Sequence, residues 1–220
     1  MKFSLPILFG ATLLAWNTHA NAAIISKLPD NVGGDGITLA RLADPFTLGA
    51  PATVGSIRFW WSMNPARPLS DFSGTITYAF YQDSGGAVGS GLGGGTVAGL
   101  ISTPTGNFAS QGTCGAPNCP LQQVDLTLTS PISLTAGNFW LELHEGATVT
   151  TNDATTTFWM TSAQTGGARS CTLPCASGFT VARSKQYAYE LNAAETGVPE
   201  PATLALVGAG LACVLLRRRR

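Results

Sequence analysis

The sequence has 220 residues, of which 11% are charged and 45% are hydrophobic. Twelve Lys and Arg balance twelve Asp and Glu, which excludes a polybasic nucleic-acid-binding protein, and the hydrophobic content excludes a charge-rich disordered chain. With 26 Gly, 13 Pro and few Lys or Glu, the chain is poorly suited to long helical bundles. The zero net charge is a sum over unlike segments, which differ in their predicted destinations.

The first 22 residues predict a secretory signal peptide. Lys2 supplies the positive charge, an apolar run extends from Leu5 to Trp16, and Ala20-Asn21-Ala22 offers small residues at a cleavage site. The apolar run is shorter than the roughly 20 residues of a permanent transmembrane helix. We therefore expect cleavage after Ala22, the alternative being a buried N-terminal helix.

Residues 23–196 are predicted to form one exported domain. Their seven Lys and Arg and eleven Asp and Glu give a net charge of −4, so no basic surface for nucleic acid is expected. In the segment Gln122–Leu128, apolar and polar residues alternate, which is typical of an antiparallel strand with one face in solvent. Eight such β-rich segments without a long helix predict an all-β, jelly-roll-like antiparallel β-sandwich. The predicted strands are Ile37–Leu42, Ala52–Trp61, Gly74–Gln82, Thr96–Ile101, Gln122–Leu128, Phe139–His144, Thr156–Ser162 and Tyr187–Leu191.

Four cysteines of the exported segment lie in two tight loops, Cys114 with Cys119 and Cys171 with Cys175. An even number in an exported domain predicts disulfides, and neither loop has the C-x₂-C spacing of a zinc site. Proximity favours pairing within each loop, whereas pairing between the loops would close a longer loop and stabilise more. The spacing does not choose between these pairings.

The chemistry available for catalysis is sparse. With His19 in the leader, the exported segment keeps His144 alone, which excludes a multi-histidine metal site and makes any Ser-His-Asp arrangement depend on it. The Gly-rich stretch 85–95 lacks the Lys-Ser/Thr ending of a phosphate-binding loop, so we interpret it as a hairpin or loop. We predict no enzymatic activity, no metal and no cofactor. Three aspartates in Gly-rich loops lack the D-x-D-x-D spacing of a calcium site, namely Asp30, Asp35 and Asp83.

The strongest chemical candidate is the sequence W-L-E-L-H-E. Strand alternation puts Trp140, Glu142 and His144 on one face. An aromatic ring beside a carboxylate suits sugar stacking or a glycosidase carboxylate pair, but Glu145 points to the opposite face. Either this is a sugar-contact face, or Trp140 packs at a sheet edge while Glu142 and His144 are solvated.

The C-terminus has three parts in a fixed order. Val198-Pro199-Glu200-Pro201 precedes an apolar run from Ala202 to Leu216, and Arg217-Arg218-Arg219-Arg220 follows. Fifteen apolar residues span about 22 Å as a helix, and because arginines snorkel and bilayers thin, a marginal transmembrane helix is predicted. The arginines are membrane-stop charges that keep the tail in the cytoplasm and the body outside.

This order resembles the PEP-CTERM protein-sorting domain, found on exported proteins of Gram-negative bacteria that typically make exopolysaccharide. The resemblance covers residues 197–220. It implies recognition by an exosortase, a membrane-embedded cysteine transpeptidase, with cutting at or near Pro199-Glu200-Pro201. It further implies transient anchoring in the inner membrane and a final place at the cell surface or in the extracellular matrix. The alternative is a tail anchor that is not processed further.

The exported segment also resembles, more weakly, the β-rich ectodomains that often carry this signal. The shared stretches are Asp44–Leu48, Ile57–Trp60, Tyr78–Gly86 and Leu134–Leu141, which contain mainly core and turn residues. The resemblance therefore supports a fold and assigns no site. Three functions remain open: a structural or adhesive protein, a carbohydrate-binding module that recognises exopolysaccharide, and a secreted hydrolase.

Overall fold

Strands occupy most of the chain that the computed structural model describes, residues 23–63, 68–110, 118–146, 157–172, 175 and 178–194. These strands form two sheets, of eight and six strands, and every pairing between them is antiparallel. The predicted all-β, two-sheet sandwich is thereby confirmed. A short 3₁₀ helix, Leu69–Asp71, connects the two sheets.

The eight-stranded sheet contains β1 (Ala23–Lys27), β2 (Pro29–Gly36), β4 (Ala52–Ser62), β7 (Thr103–Ala109), β8 (Cys119–Leu134), β10 (Phe158–Thr165), β13 (Lys185–Tyr187) and β14 (Tyr189–Ala193). The six-stranded sheet contains β3 (Ala40–Leu48), β5 (Ile76–Asp83), β6 (Val88–Val97), β9 (Gly137–Glu145), β11 (Arg169–Thr172) and β12 (Val181–Ala182).

Strand β4 is the centre of the eight-stranded sheet. Its Phe59 lies opposite Val124 of β8 on one side and Tyr189 of β14 on the other. Strand β1 pairs with the free edge of β14, and β10 continues on the same side of β4 through the pair Trp159 and Trp61. The first strand of the domain therefore lies beside its last.

Strand β9 is central in the six-stranded sheet, whose order is β12-β11-β3-β9-β5-β6. Glu142 of β9 lies opposite Ala43 of β3 and Ala79 of β5. Because both neighbours are alanines, the outer face of β9 has room for longer side chains from adjacent positions. That space determines the candidate site described below.

The core lies between the sheets and is rich in aromatic rings. Trp159 stacks on Tyr187 with ring centroids 4.6 Å apart, and Trp61 stacks on Phe72 at 4.7 Å. Stacked aromatic pairs contribute about 1 kcal/mol beyond the burial of their area. Trp60 is also buried, in a second small cluster.

Two predicted strands are displaced. The segment Ile37–Leu42 does not form one strand, because residues 37–39 bend between β2 and β3. The segment Thr96–Ile101 contains only the end of β6, which finishes at Val97. In both segments β-branched residues extend past the residues that pair in a sheet, so local composition misplaces the limits of the strand.

The Gly-rich stretch 85–95 falls mostly within β6, the second strand of a β5–β6 hairpin, which confirms the hairpin interpretation. Residue 94 must be glycine, since a Cβ there would lie 2.5 Å from the carbonyl oxygen of Tyr78. Gly93 similarly faces the Ile132 side chain of β8. The glycines therefore permit close approach between strands and between sheets.

The predicted leader, residues 1–22, and the predicted C-terminal helix lie outside the described residues. The residues that the structure describes contain no candidate for a membrane-spanning helix. The proposed domain limits, 23 and 196, stay predictions.

Candidate functional site

Strand β9 carries the predicted candidate residues as its alternation requires. Leu141 and Leu143 lie in the core between the sheets, whereas Trp140, Glu142 and His144 share the outer face. All three outer side chains are buried, and Glu142 is only 1% exposed. The alternative in which Glu142 and His144 are solvated is therefore wrong, and so is a sheet-edge position for Trp140, because β9 lies between β3 and β5.

Glu142 is the centre of a charged network across three strands. Arg41 of β3 donates from Nε to Oε1 and from Nη2 to Oε2, each at 2.5 Å. Tyr81 of β5 donates its hydroxyl to Oε2 at 2.5 Å, and His144 Nδ1 lies 3.1 Å from Oε1. Arg41 Nη2 also donates to the Tyr81 oxygen at 2.8 Å. The carboxylate is thus surrounded by donors from its own sheet.

The network fixes the protonation state of Glu142. Burial opposes its ionisation, but hydrogen bonds from His144, Arg41 and Tyr81 together outweigh burial and lower the pKa of Glu142 to about 2. Burial, with the hydrogen bond to Glu142, raises the pKa of Tyr81 above its ordinary value. Glu142 is consequently an ionised acceptor at neutral pH, unsuited to donate a proton.

Phe179, from the segment between β11 and β12, covers this network. Its ring centroid lies 5.3 Å from the Arg41 guanidinium carbon and 6.0 Å from the Tyr81 ring. A Cys171–Cys175 disulfide closes the beginning of the same segment, which confirms pairing within this loop. Cys119 is also disulfide-bonded, but Cys114 lies outside the described residues.

Trp140 has a different environment from Glu142 and His144. Its Nε1 donates to Asp83 Oδ1 at 2.8 Å, and Asp83 Oδ2 accepts from the backbone nitrogen of Gly86 at 3.0 Å. This arrangement joins the tryptophan to the β5–β6 turn. Trp140 thereby reaches the margin of a cleft that Glu142 and His144 do not line.

The cleft has a volume of about 700 Å³ and opens to solvent. It lies where β1 approaches the ends of β3 and β9. Its polar lining consists of hydroxyl and amide side chains with one carboxylate and two cations: Ser26, Thr47, Asn138, Gln164, Gln186, Asp83, Lys27 and Arg169. Hydroxyls and amides are typical partners of uncharged polar ligands, because each can donate or accept.

Lys27 forms the inner wall of the cleft and is fully engaged by the protein. Its Nζ donates to Asp44, to the carbonyl oxygen of Pro45 at 2.5 Å and to Gln186 Oε1 at 2.6 Å. Asp44 also accepts from the backbone nitrogen of Tyr187 at 2.9 Å. Burial lowers the pKa of Lys27 and raises that of Asp44 to about 6, in both cases against the attraction between them. The cost of removing the two charges from water therefore has a larger effect on both pKa values than the attraction between the charges.

The three aspartates considered for calcium each have partners from the protein. Asp30 accepts from Thr161 at 2.9 Å and contacts Lys185, and Asp35 accepts from the Tyr187 hydroxyl at 2.8 Å. Asp83 is bound by Trp140 and Gly86 as described. The carboxylate oxygens of these three aspartates therefore accept hydrogen bonds from within the protein.

Sequence patterns do not single out several residues of the network and the cleft as site residues, among them Arg41, Tyr81, Lys27 and Asp44. Their common signal is a polar residue inside a β-rich stretch of a chain with few charges. In such a chain each strand charge is a candidate for a buried pair, because isolated charges are excluded from the interior. The register that joins Arg41 and Tyr81 to Glu142 is not visible in the sequence.

A protein-family model for the PEP-CTERM protein-sorting motif matches residues 197–220. The chain carries a PEP-CTERM sorting signal. The signal makes it an exosortase substrate, an exported protein that is membrane-anchored during sorting and then processed. No curated protein matches the sequence.

The PEP-CTERM signal contains the predicted processing residues Val198, Pro199, Glu200 and Pro201 and the predicted stop charges Arg217 to Arg220. All of them lie outside the described residues. The roles of the individual residues stay predictions, as does a sugar-contact role for Trp140, Glu142 and His144. For all three side chains, which are at most 7% exposed, sugar contact would require displacement of the residues that bury them.

Proposed function

We propose that the exported domain is a non-enzymatic structural or adhesive protein of the cell surface or extracellular matrix, in a Gram-negative bacterium that produces exopolysaccharide. One observation supports the proposed absence of enzymatic activity. Glu142, the carboxylate beside the single histidine of the exported segment, is ionised, held by Arg41 and Tyr81 and covered by Phe179. Such a group stabilises a fold and lacks access to a substrate.

The sorting signal supports the surface location. Exosortase processing removes a protein from the membrane and delivers it outward, where a two-sheet domain with a disulfide is suited to an oxidising environment. A hydrolase is the least supported alternative, because it needs an accessible acid or nucleophile.

The proposal is tested by deleting the gene and restoring it in two forms. Restoration with the native protein is expected to recover surface adhesion and matrix cohesion. Restoration with Pro199→Ala, Glu200→Ala and Pro201→Ala together is expected to leave an uncut precursor in the inner membrane and to recover neither property. Normal adhesion in the deletion strain would overturn the structural or adhesive role, and normal release of the triple variant would overturn processing at this motif.

Carbohydrate binding is the second candidate function, and the cleft beside Trp140 favours it. Amide and hydroxyl side chains, such as those that line this cleft, are groups with which proteins bind sugar hydroxyls. A glycan array with the full-length protein tests this candidate, and an absence of binding to every polysaccharide would exclude it. Release of reducing sugar from a bound polysaccharide would instead support the hydrolase.

A further inference from the structure

Arg169 stands apart from the other cations of the described residues. Each of the remaining Lys and Arg side chains there lies within 4.0 Å of a carboxylate oxygen, whereas Arg169 forms no ion pair. In a domain with an acidic net charge, a cation without a carboxylate is unexpected. The paired cations are Lys27, Arg41, Arg58, Arg183 and Lys185.

Arg169 is nonetheless held in place at the cleft. It begins β11, where it pairs with Ala43 and Ala182 of the neighbouring strands. Its Nη2 donates to the carbonyl oxygen of Gly86 at 3.0 Å, while its Nε is buried and has no hydrogen-bond partner. The hydrogen bond to Gly86 orders the guanidinium, and since the buried Nε is closed to a ligand, an anion would be bound through the two terminal nitrogens, Nη1 and Nη2.

The second cation of the cleft does not compete for such an anion. Lys27 is already engaged by Asp44, Pro45 and Gln186. The cleft carboxylate, Asp83, has both oxygens occupied by Trp140 and Gly86. The groups that remain to recognise a ligand are therefore one cation, Arg169, and the surrounding amides and hydroxyls.

We propose that this cleft binds an acidic saccharide, with Arg169 receiving the sugar carboxylate. The amides of Asn138 and Gln164 and the amide nitrogen of Gln186 then contact sugar hydroxyls. The carboxylate follows from the unpaired guanidinium, and the sugar follows from the uncharged polar lining. This inference rests on the second candidate function and specifies its ligand class.

The test uses full-length protein in detergent micelles and isothermal titration calorimetry with three probes: a polyuronate oligosaccharide, the free uronic acid and a neutral glucan oligosaccharide. We expect the polyuronate to bind and Arg169→Gln to weaken its binding by about tenfold or more. Gln164→Glu, which places a negative charge at the same cleft, is expected to weaken it several-fold. Arg58→Gln is the matched control, because it removes a cation outside the cleft.

Each outcome decides between ligand classes. Binding of the free uronic acid with the same loss in Arg169→Gln assigns recognition to one sugar unit, while binding of the oligomer alone assigns it to several; both support the proposal. Equal binding of the neutral glucan would overturn the acidic ligand but retain carbohydrate binding. Binding of none of the probes would overturn both, without affecting the structural or adhesive role. If Arg169→Gln fails to fold, unchanged polyuronate binding in Gln164→Glu would overturn the proposal.

Discussion

Arg41 and Glu142 form a two-pronged ion pair across neighbouring strands, in which the Glu142 side chain is buried and the Arg41 side chain is 32% exposed. The pair joins β3 to β9 on the outer face of the six-stranded sheet, opposite the core. Phe179 rests against the guanidinium from above. This relationship makes Glu142 a cross-link between strands.

Glu142→Gln is expected to lower the free energy of unfolding by about 2 kcal/mol, because Arg41 and Tyr81 lose a charged acceptor. Urea denaturation followed by tryptophan fluorescence measures the change. Asp125→Asn is the matched control: its pair with Arg58 is exposed, so a loss of at most about 1 kcal/mol is expected. Equal losses in the two variants would contradict a structural role for the Glu142 network.

The stability of the domain should depend on Glu142 in acid. Since the pKa of Glu142 in the fold is lowered to about 2 from 4.5, its contribution is complete above pH 4.5 and disappears as the pH falls toward 2. Asp44 acts in the opposite sense: its raised pKa makes the fold less stable as the pH rises from about 4 to 6. Thermal unfolding of wild type and Glu142→Gln, measured between pH 2 and 7, separates the two effects. The difference in stability between the two proteins at each pH reports the contribution of Glu142. A pH-independent difference would exclude the lowered pKa.

The pair of Lys27 and Asp44 is expected to be strongly coupled. Lys27→Met or Asp44→Asn alone should reduce stability by about 3 kcal/mol, because each leaves a buried polar group without its partner. The double variant should lose clearly less than the sum, which a double-mutant cycle of denaturation free energies measures. Additive losses would show that the two side chains act independently.

The Cys171–Cys175 disulfide closes a short loop, so its contribution to global stability is modest. Replacing both residues by Ser is expected to cost about 2 kcal/mol from loop entropy. A larger local effect is expected around Phe179, whose amide segment 178–183 should exchange hydrogen faster while β4 remains protected. Unchanged exchange in that segment would mean that contacts with Arg41 and Tyr81 suffice to hold Phe179.

Local alternation predicted the strands that have one face in the core. Ala52–Trp61 matches β4 to within one residue, and Phe139–His144 lies inside β9. Strand β8 is longer than predicted, from Cys119 to Leu134, because a register shift opposite Val54 and Ser56 lets pairing continue past Pro131. Strands β1, β2 and β7 carry weak signals, since their pairing depends on partners distant in the sequence.

The candidate site was only partly predictable for the same reason. Periodicity placed Trp140, Glu142 and His144 on one face, which the structure shows. Their burial depends on Arg41, Tyr81 and Phe179, which come from other elements and meet Glu142 only through the sheet register. Alternation with a period of two shows which residues share a face of a strand. Whether an outer face is buried depends on the neighbouring strands and loops of the assembled sheet.

The neighbouring positions of β1 and β14 have a mechanical consequence. Ala23, the first residue after the predicted leader, lies opposite Asn192, close to the start of the sorting segment, so both ends of the domain leave it at one end of the eight-stranded sheet. Strand β1 also lines the cleft through Ser26 and Lys27. A pull on the C-terminus would therefore act first on β14 and reach the β1 wall of the cleft through the hydrogen bonds between β1 and β14. Because β14 is also paired with β4, the same pull would be shared between the margin and the centre of the sheet.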